Sequence, residues 1–418
     1  MLTFITSLIK RLCCPRKNIA IIGCGASGVA VFHHLIRNYQ KENQKISITI
    51  FDKNNFRNKG IAYSTTNINH LLNVPAYRMG IVDDDRYDFV KWLKANDYDY
   101  YDHDFVPRSI YGLYLESIME LSKIIASQKG IKYQFINEEI TEIKTKKKYF
   151  LIGKKSFNTC VLATGIELKN NPKNFWFDQI ENYLNYNEVH ILGSGLTSLD
   201  AITTLQDAGY KGTIFVHSRK GLMPIPHNAT SSNHQKANSP LKSEDANLPL
   251  SQIFKKFKET CKNSPNWQDV FNSIRPITQE LWKNFNVKKK EQFTRHCLRF
   301  WNVHRHRCPP IQYQKIEKLI HDKKLFFTTT KPPTKKIINC TGFDFSFSNI
   351  LIKNLIKFGI VKYDDLNAGI ISVKPNFYIV GAANFGSIFE TTAIPEITTQ
   401  SHQVAQEILE KLNRLEIN

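Results

Sequence analysis

Two short runs of small residues carry the chemistry available to this chain. The first is Gly23-Cys-Gly-Ala-Ser-Gly28. Gly23 permits a tight turn, Gly25 lets a pyrophosphate approach the backbone, and Gly28 lets a helix pack close to the preceding strand; Ser27 in the same run is a further cofactor-binding candidate. The free N–H groups and partial positive charge of a helix start would face the phosphates. Asp52 follows at roughly the distance, about 20 residues on, where an acid holds a ribose hydroxyl group. The second run is Gly193-Ser-Gly-Leu-Thr-Ser198. Gly193 and Gly195 fill the first two roles, and Ser198 stands where a third glycine would. The strand after it ends in Ser218-Arg-Lys-Gly221 instead of an acid. A guanidinium there suits a 2′-phosphate, so Arg219 and Lys220 favour NADPH over NADH. The alternative for this pair is ordinary basic surface.

These turns need strands before them and helices after them. Ile19 to Ile22 reads as a buried parallel strand, and Val29, Phe32, Leu35 and Ile36 follow at helical spacing. A second strand, Ile46 to Phe51, delivers Asp52. Around the second turn, Val189–Leu192 and Thr213–His217 are the paired strands. Thr159-Cys-Val-Leu-Ala-Thr-Gly165 and Ile337-Ile-Asn-Cys-Thr-Gly342 are strands ending in small turns. As a pair they suggest two crossings between domains, with Thr164 and Gly165 close to a bound dinucleotide.

The remaining stretches position or cover these turns. Lys59–Thr65 and Leu71–Ala76 are loops too rich in Gly, Asn and Pro to be element interiors. Phe105–Leu115 leads into a helix through Ile125, with Arg108 as a candidate phosphate or ribityl contact. Residues 131–165 read as short strands turning at Gly153. Pro226–Ser251 is a long polar loop, and 251–321 is a helical insertion. Within it, His304, Arg305 and His306 either bind an anionic substrate or cap the helical layer; the sequence weighs these evenly. Asn376–Gly386 is a strand and turn at Gly381, followed by a helix start near Thr392 to Pro395 that would stabilise negative charge on a reduced isoalloxazine ring.

Composition narrows the class. The chain has 418 residues, enough for two to three domains. Its eight cysteines are scattered with no Cys-x-x-Cys, which is neither a disulfide framework nor a zinc pattern, so a reducing, cytoplasmic setting and no metal are expected. The net charge of +20 reads as a lysine-rich solvated surface, since no nucleic-acid motif accompanies it. No apolar run spans a membrane, which takes about 20 residues. Cys13 and Cys14 beside Lys10, Arg11, Arg16 and Lys17 offer an acylation site or a weak membrane-surface contact; a packed N-terminal extension is the favoured reading.

As a set, Gly23–Gly28, Gly60-Ile-Ala-Tyr-Ser64, Leu71–Ala76, Arg108 with Tyr111-Gly112, Ser218–Gly221, Arg305-His-Arg307 with Pro309-Pro310 and Glu390-Thr-Thr-Ala-Ile-Pro-Glu396 resemble the FAD/NAD(P)-binding oxidoreductase family of two-dinucleotide-binding-domain flavoproteins. The resemblance is distant to class B flavin monooxygenases. It implies FAD on the first turn and NAD(P)H on the second, with Asn73 to Ala76 and Gly381 near the flavin. It implies an α/β fold: a FAD-binding Rossmann-like domain with an inserted NAD(P)-binding Rossmann-like domain and a helical insertion. The expected layout is an extension (1–17), the first part of the FAD-binding domain (18–187), the NAD(P)-binding core (188–225), loop and helices (226–330), and the return (331–418). Two departures stand out. The turn at Gly381 lacks the ribityl-binding aspartate of many flavoproteins, and no Cys-x-x-x-x-Cys follows the first helix, which excludes disulfide reductase chemistry. The implied function is a FAD-dependent oxidoreductase reduced by NADPH and acting on a small molecule, monooxygenase-like. The second reading is a non-catalytic, regulatory flavin-binding protein. The sequence is silent on substrate and oligomeric state.

Overall fold

The computed structural model describes residues 16–40, 45–53, 58–165, 174–228, 238–333, 336–342 and 349–414. Cys13 and Cys14 lie outside the described residues, as does the middle of the 226–251 stretch.

The chain opens with β1 (Lys17–Ile22), α1 (Ala26–Asn38) and β2 (Ile46–Asp52). Then come α2 (Asp88–Ala95), α3 (Arg108–Gln128) and β3 (Lys132–Asn137). A small antiparallel meander follows: β4 (Lys144–Lys146), β5 (Tyr149–Ile152) and β6 (Lys155–Phe157), leading to β7 (Thr159–Leu162). The second part holds β8 (Glu188–Leu192), α4 (Leu196–Asp207) and β9 (Thr213–His217). Five helices come next: α5 (Leu250–Asn263), α6 (Trp267–Ser273), α7 (Arg275–Asn284), α8 (Val287–His296) and α9 (Leu298–Arg305). After them come α10 (Pro310–His321), β10 (Leu325–Thr328) and β11 (Ile337–Asn339). The chain ends with α11 (Ile350–Lys357), β12 (Val361–Tyr363), β13 (Ile370–Ser372), β14 (Phe377–Ile379) and α12 (Ile394–Arg414).

One compact unit comprises Met1–Thr66, Pro75–Ile166 and Phe345–Asn418. Its five-stranded sheet runs β14-β7-β1-β2-β3, every pair parallel, with Ile21 opposite Ile50 on one side and Val161 on the other. Such strands are covered on both faces, which is why they read as unbroken apolar runs. On one face α1 packs against α3 and α12, burying Val29, Phe32, Leu35 and Ile36. On the other, Phe150, Ile152 and Phe157 of the meander join Leu351 and Leu355 of α11 in one core.

The other unit comprises Asn67–Val74 and Glu167–Asp344. Its sheet runs β10-β9-β8-β11, again all parallel. Leu199, Ile202 and Leu205 of α4 and Ile316 of α10 bury Val189, Ile191, Ile214 and Val216. The helical insertion has an aromatic core of its own, with Phe271 in ring contact with Phe257, Trp267 and Trp301.

These divisions differ from the expected boundaries at 188 and 331, for identifiable reasons. Phe175, Ile180 and Tyr183 pack into the second core, and β11 pairs with β8. The segment 67–74 makes an excursion that the sequence did not signal. The ring of His70 is 2.9 Å from Thr204 Oγ1, and Asn67 Nδ2 donates to Asp207 at 2.8 Å, which fixes the excursion to α4. No helix among the described residues is long and apolar enough to cross a membrane.

Candidate nucleotide-binding sites

The first glycine turn is fixed by three neighbours. Gly23 has φ +99°, and its N–H donates to Phe51 O at 2.8 Å. A Cβ on Gly23 would lie 2.6 Å from Ala163 O and 2.9 Å from Thr164 Cα. The Ala-Thr-Gly ending of β7 therefore sits directly against the turn. A Cβ on Gly28 would lie 2.0 Å from Gly23 O, so α1 can approach β1 only with glycine there. The cap position of α1, Gly25, makes no side-chain cap bond, and the first helical turn holds no acid. Its N–H groups thus form an open, electropositive end suited to an anion.

Further residues close on this turn. Gly60, at φ +68°, comes so near that a Cβ on Gly25 would be 3.4 Å from Gly60 Cα. The Gly60–Ser64 loop is seated on α3, because a Cβ on Gly112 would lie 2.5 Å from Tyr63 O. The Tyr63 and Tyr111 rings are 4.7 Å apart. Burial pushes the Tyr63 phenol up, while the nearby Arg108 guanidinium pulls the other way. Asp52 Oδ2 accepts the Cys24 N–H at 2.5 Å. Gly381, φ +86°, abuts α1: a Cβ there would be 2.6 Å from Ser27 Oγ. The Gly381 N–H donates to Gln400 Oε1 of α12 at 3.1 Å. The first unit thus gathers Gly23, Gly25, Ser27, Gly28, Asp52, Thr164 and Gly381 about one turn. Arg108 opens α3 next to Tyr63, and Gly165 follows Thr164.

The second turn repeats the plan. Gly193 has φ +105°, its N–H donates to His217 O at 2.8 Å, and a Cβ on it would be 2.5 Å from Cys340 O. Its cap residue Gly195 has φ −85° and ψ −168°, against −83° and −166° for Gly25. Neither helix start has a side-chain cap bond or an acid in its first turn. Ser198 is buried and its hydroxyl donates to Gly195 O at 2.6 Å, so the serine closes the turn instead of vacating space. The Ser194 hydroxyl donates to Leu222 O, latching the basic loop after β9 to the glycine turn. Arg219 and Lys220 on that loop are exposed.

The other candidates fall elsewhere. Asn73 lies in the 67–74 excursion, and its carbonyl accepts from His227 Nε2 at 3.0 Å. His304 Nδ1 bonds Phe300 O one turn earlier at 2.7 Å, and its ring lies against Trp267. This leaves His304 half-buried against the helical layer's aromatic cluster. Arg307, which is 2 % exposed, donates to Gln268 Oε1 at 2.5 Å and Asn272 Oδ1 at 2.6 Å. Sequence reasoning gave no role to Ser194, His217 or Gln400, and it named Gly60 only as part of the Gly60–Ser64 motif.

Residues 20–167 match the profile of a family described as FAD-NAD(P)-binding. No curated protein is significantly similar in sequence. The fold is that of solved flavoproteins. It is similar to the ornithine hydroxylase of Pseudomonas aeruginosa, at 10 % identity and TM-score 0.60 over 95 % of this chain and 100 % of that one. The ornithine N-hydroxylase of Kutzneria sp. 744 aligns at 11 % and 0.59 over 95 % and 100 %. The bacillithiol disulfide reductase of Staphylococcus aureus aligns at 13 % and 0.51 over 95 % and 99 %.

Proposed function

We propose that this chain is a cytoplasmic, FAD-dependent oxidoreductase reduced by NADPH, monooxygenase-like, acting on a small molecule. The observation that carries this reading is the repetition of one turn geometry in two units, each with an uncapped, acid-free helix start. The residues fit the cofactors: each first glycine sits where a side chain would strike the end of a neighbouring strand, and each helix start behind it has no side-chain cap bond and no acid in its first turn, which suits a phosphate.

The Gly23–Gly28 turn and α1 would bind the FAD pyrophosphate, and Asp52 a ribose hydroxyl group. Arg108, Thr164, Gly165 and Gly381 would contact the rest of FAD. Gly193, Gly195 and Ser198 would hold the NADPH pyrophosphate, and Arg219 and Lys220 its 2′-phosphate. When bound, NADPH supplies a hydride and FAD relays the two electrons to oxygen or another acceptor. The protein orients the groups and keeps water from them. Arg305 and His306 remain the candidates for substrate handling. Ornithine hydroxylases share the fold, which supports a small-molecule substrate without naming it.

Anaerobic addition of NADPH tests this. Bleaching of a flavin band near about 450 nm, then oxygen uptake on re-aeration, is the expected result. Bound flavin that NADPH never bleaches would favour the regulatory reading. A protein that takes up no FAD would overturn both.

A further inference from the structure

The sheet of the second unit brings the loop that carries Lys331 against the loop that carries Arg219 and Lys220. β10 runs parallel to β9 with Thr328 opposite His217, and the two chains stay together beyond the strands. Ser218 N–H donates to Thr328 O at 3.0 Å. His217 Nδ1 donates to Thr330 O at 2.9 Å, since a carbonyl only accepts. A Cβ on Gly221 would lie 3.9 Å from Thr329 Cγ2. The Thr330 N–H turns back to Thr328 Oγ1 at 3.2 Å, a local hydroxyl turn that bends the chain at the strand end. Lys331 comes next, exposed, and the following Pro332 restricts its backbone to extended conformations.

Two loops therefore meet at the carboxyl ends of adjacent parallel strands, where open α/β sheets bind ligands. Ser218–Met223 and Thr328–Pro333 together carry Arg219, Lys220 and Lys331 and contain no Asp or Glu. Like charges gathered without acids in either loop favour an anion between them. We infer that Lys331, on the Thr328–Pro333 loop, completes the 2′-phosphate site and is a specificity-determining residue for NADPH. This rests on the NADPH reading above. His217 is the positioning residue: its ring ties the end of β9 to Thr330, its carbonyl holds the Gly193 N–H, and its Nε2 lies 2.8 Å from His190 Nδ1.

Calorimetric titration of the purified full chain with adenosine 2′,5′-bisphosphate and with 5′-AMP tests this without turnover. Lys331→Ala should weaken the bisphosphate about tenfold and leave 5′-AMP unchanged, whereas Lys331→Arg should keep most of the affinity. The inference is overturned if Lys331→Ala leaves the bisphosphate affinity intact while Arg219→Ala reduces it; the NADPH reading would then survive. It is also overturned if Lys331→Ala weakens both ligands equally. If the unaltered protein does not prefer the bisphosphate to 5′-AMP, the NADPH reading itself fails.

Discussion

Asp52 Oδ2 accepts the backbone N–H of Cys24 at 2.5 Å, joining the end of the second strand to the first glycine turn. The carboxylate expected to serve a ribose thus also shapes the pyrophosphate cradle. The two roles separate by substitution. Asp52→Asn keeps an acceptor for Cys24 and should change stability by under about 0.5 kcal/mol, while FAD affinity falls through loss of a charged partner. Asp52→Ala leaves a buried N–H unmet and should cost about 1–3 kcal/mol as well. Urea unfolding and FAD titration of both variants give the answer. Equal stability loss in the two would sink the division of roles.

The second turn allows a sharper contrast. Gly193 has positive φ, and a Cβ on it would strike Cys340 O at 2.5 Å. Gly195 has an ordinary φ of −85°, and no described atom lies within 4 Å of a Cβ placed there. Gly193→Ala should therefore unfold more easily, by roughly 1–3 kcal/mol. Gly195→Ala should fold normally and lose NADPH binding by at least about tenfold, because its methyl group occupies the ligand's approach. Thermal melts alongside NADPH titration distinguish them.

Both glycine turns were legible because glycine roles are local: a strand, a turn and a helix start sit within a dozen residues. Ala163 and Cys340 were legible only as strand ends, since what they touch is set by sheet order and not by neighbours in sequence. The 67–74 excursion was illegible for the same reason. His70, Asn67 and Asn69 look like loop residues, and their partners on α4 lie some 130 positions away. For His304 the sequence left two roles open, an anion contact or a place in the helical layer, because a histidine beside arginines suits either. Its ring packs on Trp267 and Phe271, whose convergence with it needs the tertiary fold.

Gln268 is the hub that holds the start of the 226–251 stretch. Its Oε1 accepts from Arg307 Nη1 and from Asn228 N–H, and its Nε2 donates to Pro226 O and Asn228 Oδ1. Gln268→Leu removes all four bonds and leaves part of a buried guanidinium unmatched. A loss of about 3 kcal/mol is expected, most of it as faster unfolding of the helical insertion. Hydrogen exchange should show the deprotection concentrated in 250–307. Uniform deprotection would mean that Gln268 acts elsewhere.

His33 and His34 lie at the buried centre of the α1–α3–α12 layer, where Ser122 Oγ is 2.9 Å from His33 Nδ1 and the His402 ring is 5.3 Å from that of His34. Burial pulls His33 down to about 4, helped by Arg37 and opposed by Asp84. Burial pulls His34 down to about 3, with His33, His402 and Arg37 adding to it and the Ile81 backbone opposing. In the same unit, burial raises the Asp88 carboxyl to about 6 against its bond from Tyr114. Between about pH 5.5 and 4.5 the unfolded chain binds nearly two protons at these histidines, near their free value of about 6.5, and few at Asp88, whose free value is about 3.9. The folded chain binds one, at Asp88. The unfolded state thus holds one more proton, so stability falls on acidification by about 1.4 kcal/mol per pH unit across that window. His34→Phe, which suits the aromatic surroundings, removes one histidine proton and should bring the slope from these groups close to zero. Urea midpoints at pH 7, 6, 5 and 4.5 measure it, and an unchanged slope in His34→Phe would place the acid sensitivity outside this layer.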